Sequence, residues 1–206
     1  TCKNNSRLHI RCDDARTLDT VPDGGIDMVI TSPPYGDSRT TVAYGQFSRL
    51  SLQWLGLDRT AQKDIIDIDK NLLGGKPRAH KGRRTDLGSA TLFKTLERIS
   101  AKDPFRADEV FGFYADLDKC LCSVAKKMKP NGYQFWVVGN RTVKSEILYT
   151  DKIIAEMAAK YGLIHLFSFG RNILNKVMPS LNSPTNEKGA RAKTMTKETV
   201  IVLKKE

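Results

Sequence analysis

Short apolar runs alternate along this chain with stretches of helical periodicity, and turn residues separate the two kinds of segment. Residues 26–31 are almost continuously apolar, as in a strand whose two faces are both covered. Residues 107–128 and 145–161 carry apolar positions at the spacing of amphipathic helices. The predicted strands are residues 8–12, 26–31, 133–138, 163–169 and 199–203, and the predicted helices are residues 47–57, 90–101, 107–128 and 145–161.

This alternation of strands and helices predicts an α/β fold with a Rossmann-like sheet. A length of 206 residues suits a single domain over residues 1–206 with one sizeable core. Residues 37–106 are too many for an ordinary connection, so we interpret them as a helical and loop insertion at the functional edge of the sheet. Trp54 and Trp136 fall in apolar segments and are expected in the core.

Composition and charge narrow the class of protein. Lys and Arg number 34 against 23 Asp and Glu, and the net charge of +11 favours a polyanionic partner, nucleic acid before an anionic membrane surface. No apolar run approaches the roughly 20 residues of a membrane span and no signal-peptide pattern is present, so we expect a cytoplasmic protein without a membrane partner. The four cysteines form no C-x-x-C pair and the three histidines are scattered, so no metal site is expected.

The most informative segment is the polar-Pro-Pro-aromatic loop that follows the strand at residues 26–31. In an open α/β sheet, ligands bind beyond the carboxyl ends of the strands, where this loop would lie. Ser32 offers a hydroxyl, and the carbonyl of Pro33 is an acceptor whose direction the two prolines fix. Tyr35 offers a flat ring of the kind that stacks on a nucleobase.

These groups suit chemistry on an exocyclic amine of a nucleobase, which is a poor nucleophile because its lone pair is conjugated into the ring. Acceptors on both N–H bonds would hold the nitrogen in an orientation from which it can attack an electrophilic methyl group. The base must first leave the helix, and an aromatic platform offsets part of that cost. The strand at residues 8–12 ends at Asp13 and Asp14, and adjacent parallel strands would bring Asp14 to the same edge as Ser32, where it could accept from an adenine amino group.

The segment TSPPY after an apolar strand, preceded by an acidic-Ala-Arg step, resembles the amino-methyltransferases of DNA, which use S-adenosylmethionine. The resemblance implies a class I methyltransferase sheet and DNA as the partner. A motif that begins with serine is typical of the cytosine-N4 enzymes, whereas the adenine-N6 relatives more often carry Asp at that place. The implied catalytic loop is Ser32, Pro33, Pro34 and Tyr35, and the implied cofactor contacts are Asp14 and Thr31.

One feature of that family is missing from the sequence. Its methionine-binding loop is rich in glycine, of the type F-x-G-x-G, and this chain contains no G-x-G. Three explanations stay open: a fragment of a longer protein, a split enzyme that a second chain completes, or a degenerate relative.

From the resemblance of the TSPPY segment we expect a DNA methyltransferase, and first of all a cytosine-N4 enzyme of a restriction–modification system. The alternatives are an adenine-N6 or RNA methyltransferase, and a catalytically silent DNA-binding subunit.

A cluster of basic residues without an acid lies within the predicted insertion. Such side chains would contact DNA phosphates and give a salt-dependent affinity, although a solvated loop is the alternative interpretation. The candidate DNA-binding residues are Lys76, Arg78, Lys81, Arg83 and Arg84.

Overall fold

The computed structural model describes residues 7–35, 44–55, 68–76, 84–172, 181–182, 192–193 and 197–206. A 3-10 turn at Ala159–Tyr161 directly follows the helix at Thr150–Ala158. In chain order the elements are β1 (Ile26–Thr31), α1 (Tyr44–Trp54), α2 (Ile68–Asn71), α3 (Ala90–Lys102), α4 (Pro104–Lys127), β2 (Met128–Val138), β3 (Arg141–Val143), β4 (Glu146–Leu148), α5 (Thr150–Ala158), β5 (Leu163–Asn172), β6 (Leu181–Asn182), β7 (Ala192–Lys193) and β8 (Lys197–Lys205).

Four strands form the central sheet, in the order β1-β2-β8-β5. Strands β1 and β2 are parallel, and β8 runs antiparallel to both β2 and β5. The connection from β1 to β2 contains the helices α1 to α4, as parallel neighbours require a crossover. The α/β fold predicted from the sequence is confirmed.

The helices α3, α4 and α5 pack on one face of this sheet. Their apolar side chains form a single core with Trp136 and Val138 of β2 and with Ile201 and Leu203 of β8. Trp136 is only 3% exposed, so its predicted place in the core is confirmed. We call this side of the sheet the helix-covered face.

Capping residues fix where the two longest core helices begin. The Ser89 hydroxyl accepts from the backbone N–H of Leu92 at the start of α3. Asp103 ends α3 and caps α4, where its carboxylate accepts from the backbone N–H of Arg106 and Pro104 occupies the first turn. Residues 90–102, the last part of the predicted insertion, thus belong to the packed helical layer.

The structure corrects two predicted elements. Residues 8–12 form no strand and pair with none among the described residues, and both Leu8 and Ile10 are exposed. The sequence predicts a helix over residues 145–161, but Glu146–Leu148 form the second strand of the β3–β4 hairpin and α5 begins only at Thr150. The hairpin turn places Lys144 and Ser145 at positive φ, which redirects the chain before α5 begins.

Large apolar side chains are exposed on the other face of the sheet and on α1. We call the group Met28, Ile30, Tyr133, Phe167 and Phe169 the open face, because each is exposed and the strand register places them on the side opposite the helices. Trp54 of α1 is 91% exposed, so its predicted place in the core is wrong. Among the side chains that the structure describes, none from α1 belongs to the hydrophobic core. No helix in the described part of the chain has the length and apolar character of a membrane span.

Candidate functional site

The loop of residues 32–35, which we call the SPPY loop, leaves the carboxyl end of β1. Parallel pairing aligns Thr31 with Trp136 of β2, so the loop begins at the edge of the sheet where β2 also ends. Ser32 is exposed, whereas Pro33, Pro34 and Tyr35 are half-buried. The serine hydroxyl is therefore open to a ligand, and the prolines lie against the protein.

The phenol of Tyr35 is held by a carboxylate from a distant strand. Its Oη donates to Oε1 of Glu198 on β8 at 2.7 Å and lies 3.5 Å from Oγ of Ser32. The other oxygen of Glu198 accepts from Nη2 of Arg171 on β5 at 2.5 Å. Burial raises the pKa of Tyr35, and Glu198 raises it further, while the Ser32 hydroxyl lowers it. The phenol therefore stays protonated and remains a hydrogen-bond donor.

Asp14 lies in a turn that Asp13 organises. One oxygen of Asp13 accepts from the backbone N–H of Thr20 and the other from that of Asp14. The carboxylate of Asp14 accepts from Nε and Nη2 of Arg16, and these hydrogen bonds hold the pKa of Asp14 below its usual range. Asp14 is exposed and ionised, so its oxygens retain room for a further donor.

Arg16 ties this turn to the helical layer. Its Nη2 also donates to the carbonyl of Asn71 at 3.0 Å, and its Nη1 lies 3.7 Å from Oδ2 of Asp116 on α4. The same carboxylate oxygen of Asp116 accepts from the backbone N–H of Gly74. Asp116, which no sequence pattern singled out, thus joins α4, the turn and residues 71–75.

A cavity of about 600 Å³ lies between the turn, β1 and α4. Its walls are mostly apolar, and the thiol of Cys120 on α4 lines it. Burial raises the pKa of that thiol to about 12, so it is an unreactive part of the wall. Thr31, Ser32, Pro33 and Pro34 line one side of the cavity, and Ala15, next to Asp14, lines another. The predicted strand pairing does not form, yet both candidate regions border one cavity.

Asn140 follows β2 at the same edge of the sheet. Its Oδ1 is buried and has no hydrogen-bond partner among the described residues. An acceptor left in this state costs roughly 1–3 kcal/mol. Within the described part of the chain, no group of His, Cys, Asp and Glu side chains could hold a metal ion.

The structure describes two of the five candidate DNA-binding residues. Lys76 is exposed. Arg84 is half-buried, and its Nη2 donates to Oδ1 of Asp108 on α4 at 3.0 Å. Arg78, Lys81 and Arg83 lie outside the described residues. A role for these side chains in DNA binding stays a prediction.

Sequence reasoning missed Glu198 and Arg171. Glu198 on β8 contacts Tyr35 of the SPPY loop, and Arg171 on β5 contacts Glu198. Glu198 is 163 positions from Tyr35, so no local pattern connects them. The available signal was the charge of the strand ends, since Arg171 and Glu198 are directly opposite in the antiparallel pair of β5 and β8. That signal requires the strand register, which the sequence does not supply.

Comparison with known proteins gives one strong match. The chain is 51% identical over 181 residues to the type II methyltransferase M.MvaI of Kocuria varians. The match covers 86% of this chain and 40% of M.MvaI, so the chain spans about two fifths of the length of that relative. No family model matches the chain.

Solved structures of TTHA0409 from Thermus thermophilus, a candidate DNA modification methylase, are more distant matches. They are 17–18% identical, with TM-scores of 0.43–0.44. The alignments cover 93–94% of this chain and 50–53% of the TTHA0409 chains, one of which is complexed with S-adenosyl-L-methionine.

Proposed function

Because this chain belongs to the DNA methyltransferase family, we propose that it carries the catalytic loop of an S-adenosylmethionine-dependent enzyme that methylates an exocyclic amine of a flipped DNA base. We propose cytosine N4 as the target, since a serine opens the SPPY loop, and a restriction–modification system as the setting. The observation that carries the proposal is the position of this loop, at the carboxyl end of β1 and beside a cavity of about 600 Å³.

The SPPY loop would bind and orient the amine. Ser32 has an exposed hydroxyl, and the carbonyl of Pro33 has a fixed direction, so two acceptors are available for the two N–H bonds. The ring of Tyr35 would stack on the flipped base and offset part of the unstacking cost. S-adenosylmethionine, when bound, supplies an electrophilic methyl group. The protein would thus act by orientation, and the amine would release one proton to an acceptor at the loop or to water.

The described residues fit one end of this cofactor. The ionised and exposed carboxylate of Asp14 suits an adenine amino group, and Thr31 lines the cavity between the turn and β1. For the methionine end, the chain offers no G-x-G in its sequence. We therefore propose that Asp14 and Thr31 contact the cofactor and that other residues bind its amino-acid end.

Those other residues would come from a polypeptide segment outside these 206 residues, on the same chain or on a second one. The open face supports this, since contiguous exposed apolar surface in a sheet is commonly an interaction surface. The length of M.MvaI also supports it, because the match covers only 40% of that relative. We call this hypothetical part the completing segment.

DNA contacts would come from the basic residues of the insertion at 37–106. Lys76 is exposed and can approach a phosphate, whereas the guanidinium of Arg84 forms an ion pair with Asp108. Replacing Arg83 and Arg84 with Ala should lower DNA affinity and flatten its dependence on salt, by roughly one unit of slope for each phosphate that the variant no longer neutralises. An unchanged slope in filter binding at several salt concentrations would reduce this loop to solvated surface.

The experiment that tests the function measures methyl transfer from labelled S-adenosylmethionine to mixed-sequence DNA, with the digested nucleosides identified by mass. It uses the chain alone and a completed protein, in which this chain replaces the matched segment of M.MvaI. We expect N4-methylcytosine from the completed protein. N6-methyladenine would correct the target base, and DNA binding without any product would indicate a silent binding subunit.

Two variants test the SPPY loop in the completed protein. Ser32→Ala and Tyr35→Ala should abolish methyl transfer while the thermal unfolding midpoint stays close to that of the unchanged protein. Tyr161→Ala is a matched control, because Tyr161 is also half-buried and lies before β5, at the opposite end of that strand from Arg171. Full activity of either loop variant would show that the loop has no catalytic role.

A further inference from the structure

We propose that Glu198 and Arg171 are positioning residues for the SPPY loop: Glu198 holds the phenol of Tyr35 so that its ring stays fixed over the carboxyl edge of the sheet, and Arg171 holds Glu198. This inference rests on the proposed function, since a fixed ring matters if a base stacks on it. The Tyr35 phenol ties the loop to a strand that is not a neighbour of β1.

The contacts form a short chain from the loop to the edge strand of the sheet. Tyr35 Oη donates to Glu198 Oε1 at 2.7 Å, a good distance for an O–H donor on a carboxylate. Arg171 donates to Glu198 Oε2 from Nη2 at 2.5 Å and from Nε at 3.2 Å. One carboxylate oxygen of Glu198 thus accepts from the phenol and the other from the guanidinium, so the same side chain binds both partners.

The strand order makes this contact a bridge. Tyr35 follows β1, whereas Glu198 lies on β8, and β2 separates the two strands. The tyrosine therefore reaches across the end of β2, over about two strand spacings of roughly 4.8 Å each. Arg171 is the direct antiparallel partner of Glu198, so the register of β5 and β8 places the guanidinium on the same side of the sheet.

A ring attached only at its own backbone can rotate about two side-chain bonds. A hydrogen bond at the para position restricts that rotation before a base arrives, so the entropy of ordering the ring is not lost again on binding. Placement errors of about 1 Å at a reacting centre can cost about a hundredfold in rate. We call the hydrogen bond between the Tyr35 phenol and Glu198 the tether. The tether would therefore act on the rate of methyl transfer more than on the affinity for DNA.

The molecule contains a matched arrangement at the other end of β5. Asp118 of α4 accepts from Nζ of Lys160 at 3.1 Å. Burial raises the pKa of the Tyr161 phenol, and the nearby carboxylate of Asp118 raises it further. The side chain of Asp118 is about as buried as that of Glu198. Lys160 and Tyr161 precede Leu163, the first residue of β5, whereas Arg171 is near its end. Asp118→Ala therefore removes a carboxylate that pairs with a cation and lies near a tyrosine, at a distance from the SPPY loop.

The kinetic test compares four variants in the completed protein. Glu198→Ala and Tyr35→Phe should each lower kcat by about ten- to a hundredfold and leave the KM for DNA within about twofold. Because Glu198 acts through the phenol, the double variant should lose no more than either single variant. Glu198→Gln, which can still bond to the phenol, should recover most of the rate.

Three results would overturn the proposal. Glu198→Ala could lower kcat no more than Asp118→Ala, which would reduce the contact to a structural tie. The losses of Glu198→Ala and Tyr35→Phe could multiply in the double variant, which would mean that they act separately. Glu198→Gln could behave like Glu198→Ala although thermal unfolding shows that both fold, which would exclude the tether as the cause.

If the completed protein shows no methyl transfer, that result overturns the proposed function but does not test the tether. A second measurement tests the tether without enzyme activity. Ring-labelled tyrosine in the 206-residue chain would be followed by NMR. Glu198→Ala should shift and broaden the Tyr35 resonance and leave that of Tyr161 unchanged, with the reverse for Asp118→Ala. An unchanged Tyr35 resonance in Glu198→Ala would show that the phenol is not held.

Discussion

The two faces of the central sheet differ in what covers them. On the helix-covered face, Trp136, Ile201 and Leu203 pack with three helices and are almost completely removed from water. On the open face, Ile30 is 72% exposed and Phe167 is 54% exposed, although both are large and apolar. The helical layer supplies the stability of this chain, whereas the open face carries apolar surface whose burial would stabilise a larger assembly.

The physical reason lies in how sheets with parallel strands are built. Parallel strands are normally covered on both faces, which agrees with the almost continuously apolar sequence of β1, whose pairing with β2 is parallel. Here the register aligns Ile30 with Phe135 of β2, Val202 of β8 and Phe167 of β5 in one apolar row. A row of this kind across four strands matches the inner side of a second layer.

The largest expected difference between the faces is in the free energy of unfolding. Phe111 of α4 is 1% exposed, so Phe111→Ala should destabilise the chain by about 3–5 kcal/mol. Phe167→Ala removes the same side chain from the open face and should change stability by less than about 1 kcal/mol. Urea unfolding of both variants measures the difference, and equal losses would mean that the open face is buried in solution.

The second prediction concerns what the open face does in a longer protein. Ile30→Lys should leave the isolated chain within about 0.5 kcal/mol of its original stability. In the completed protein the same change should cost about 2 kcal/mol or more, because it would place a charge against an apolar layer. Thermal or urea unfolding of both proteins measures this dependence on context.

Ile147→Lys is the matched control for that experiment. Ile147 is also an exposed isoleucine, but it lies in the β3–β4 hairpin and not on the central sheet. Its substitution should have a similarly small effect in both proteins. Equal effects of Ile30→Lys in the two proteins would argue against a layer over the open face.

The smallest expected effect is a dependence of the free energy of unfolding on pH, which comes from a carboxylate in the helical layer. Glu156 of α5 accepts from the Ser89 hydroxyl at 2.6 Å and from the Thr91 backbone N–H at 3.1 Å, at the start of α3. Burial raises the pKa of Glu156, but these hydrogen bonds outweigh it and the net pKa is lowered. A lowered folded pKa stabilises the protein above the unfolded value of about 4.3, and this contribution is lost as the pH falls through the folded value.

Glu156→Gln should therefore cost less than about 1 kcal/mol at pH 7, since the group is partly solvated. The difference from the unchanged chain should be smaller at about pH 3, because the stabilisation by this carboxylate is progressively lost below the unfolded pKa of about 4.3. Urea midpoints at the two pH values test this. A difference that is the same at both would show that the charge of Glu156 does not contribute.

The parts predicted from the sequence are those with a local physical signal. The apolar run of β1 followed by Pro33 and Pro34 predicted a strand and then a loop, because proline excludes both helix and ladder pairing. The hairpin at residues 141–148 was missed, because Lys144 and Ser145 adopt positive φ although neither is a residue that favours it. Helical periodicity across residues 145–149 then indicated the wrong element.

The parts that could not be predicted depend on contacts between distant segments. The burial of Trp54 depends on whether α1 packs on the core, which its own apolar pattern does not decide. The contact of Tyr35 with Glu198 depends on the order β1-β2-β8-β5 and on the register of β8. The sequence thus predicted the loop itself but not the strand residues that hold it.

The most direct test of the central claim is calorimetric titration of S-adenosylmethionine into the chain alone and into the completed protein. We predict no saturable binding to the chain alone, because in the proposed site its residues contact only the adenine end of the cofactor. We predict saturable binding to the completed protein, weakened by Asp14→Ala. Saturable binding to the chain alone, with the same affinity as the completed protein, would contradict the claim that another segment supplies the rest of the site.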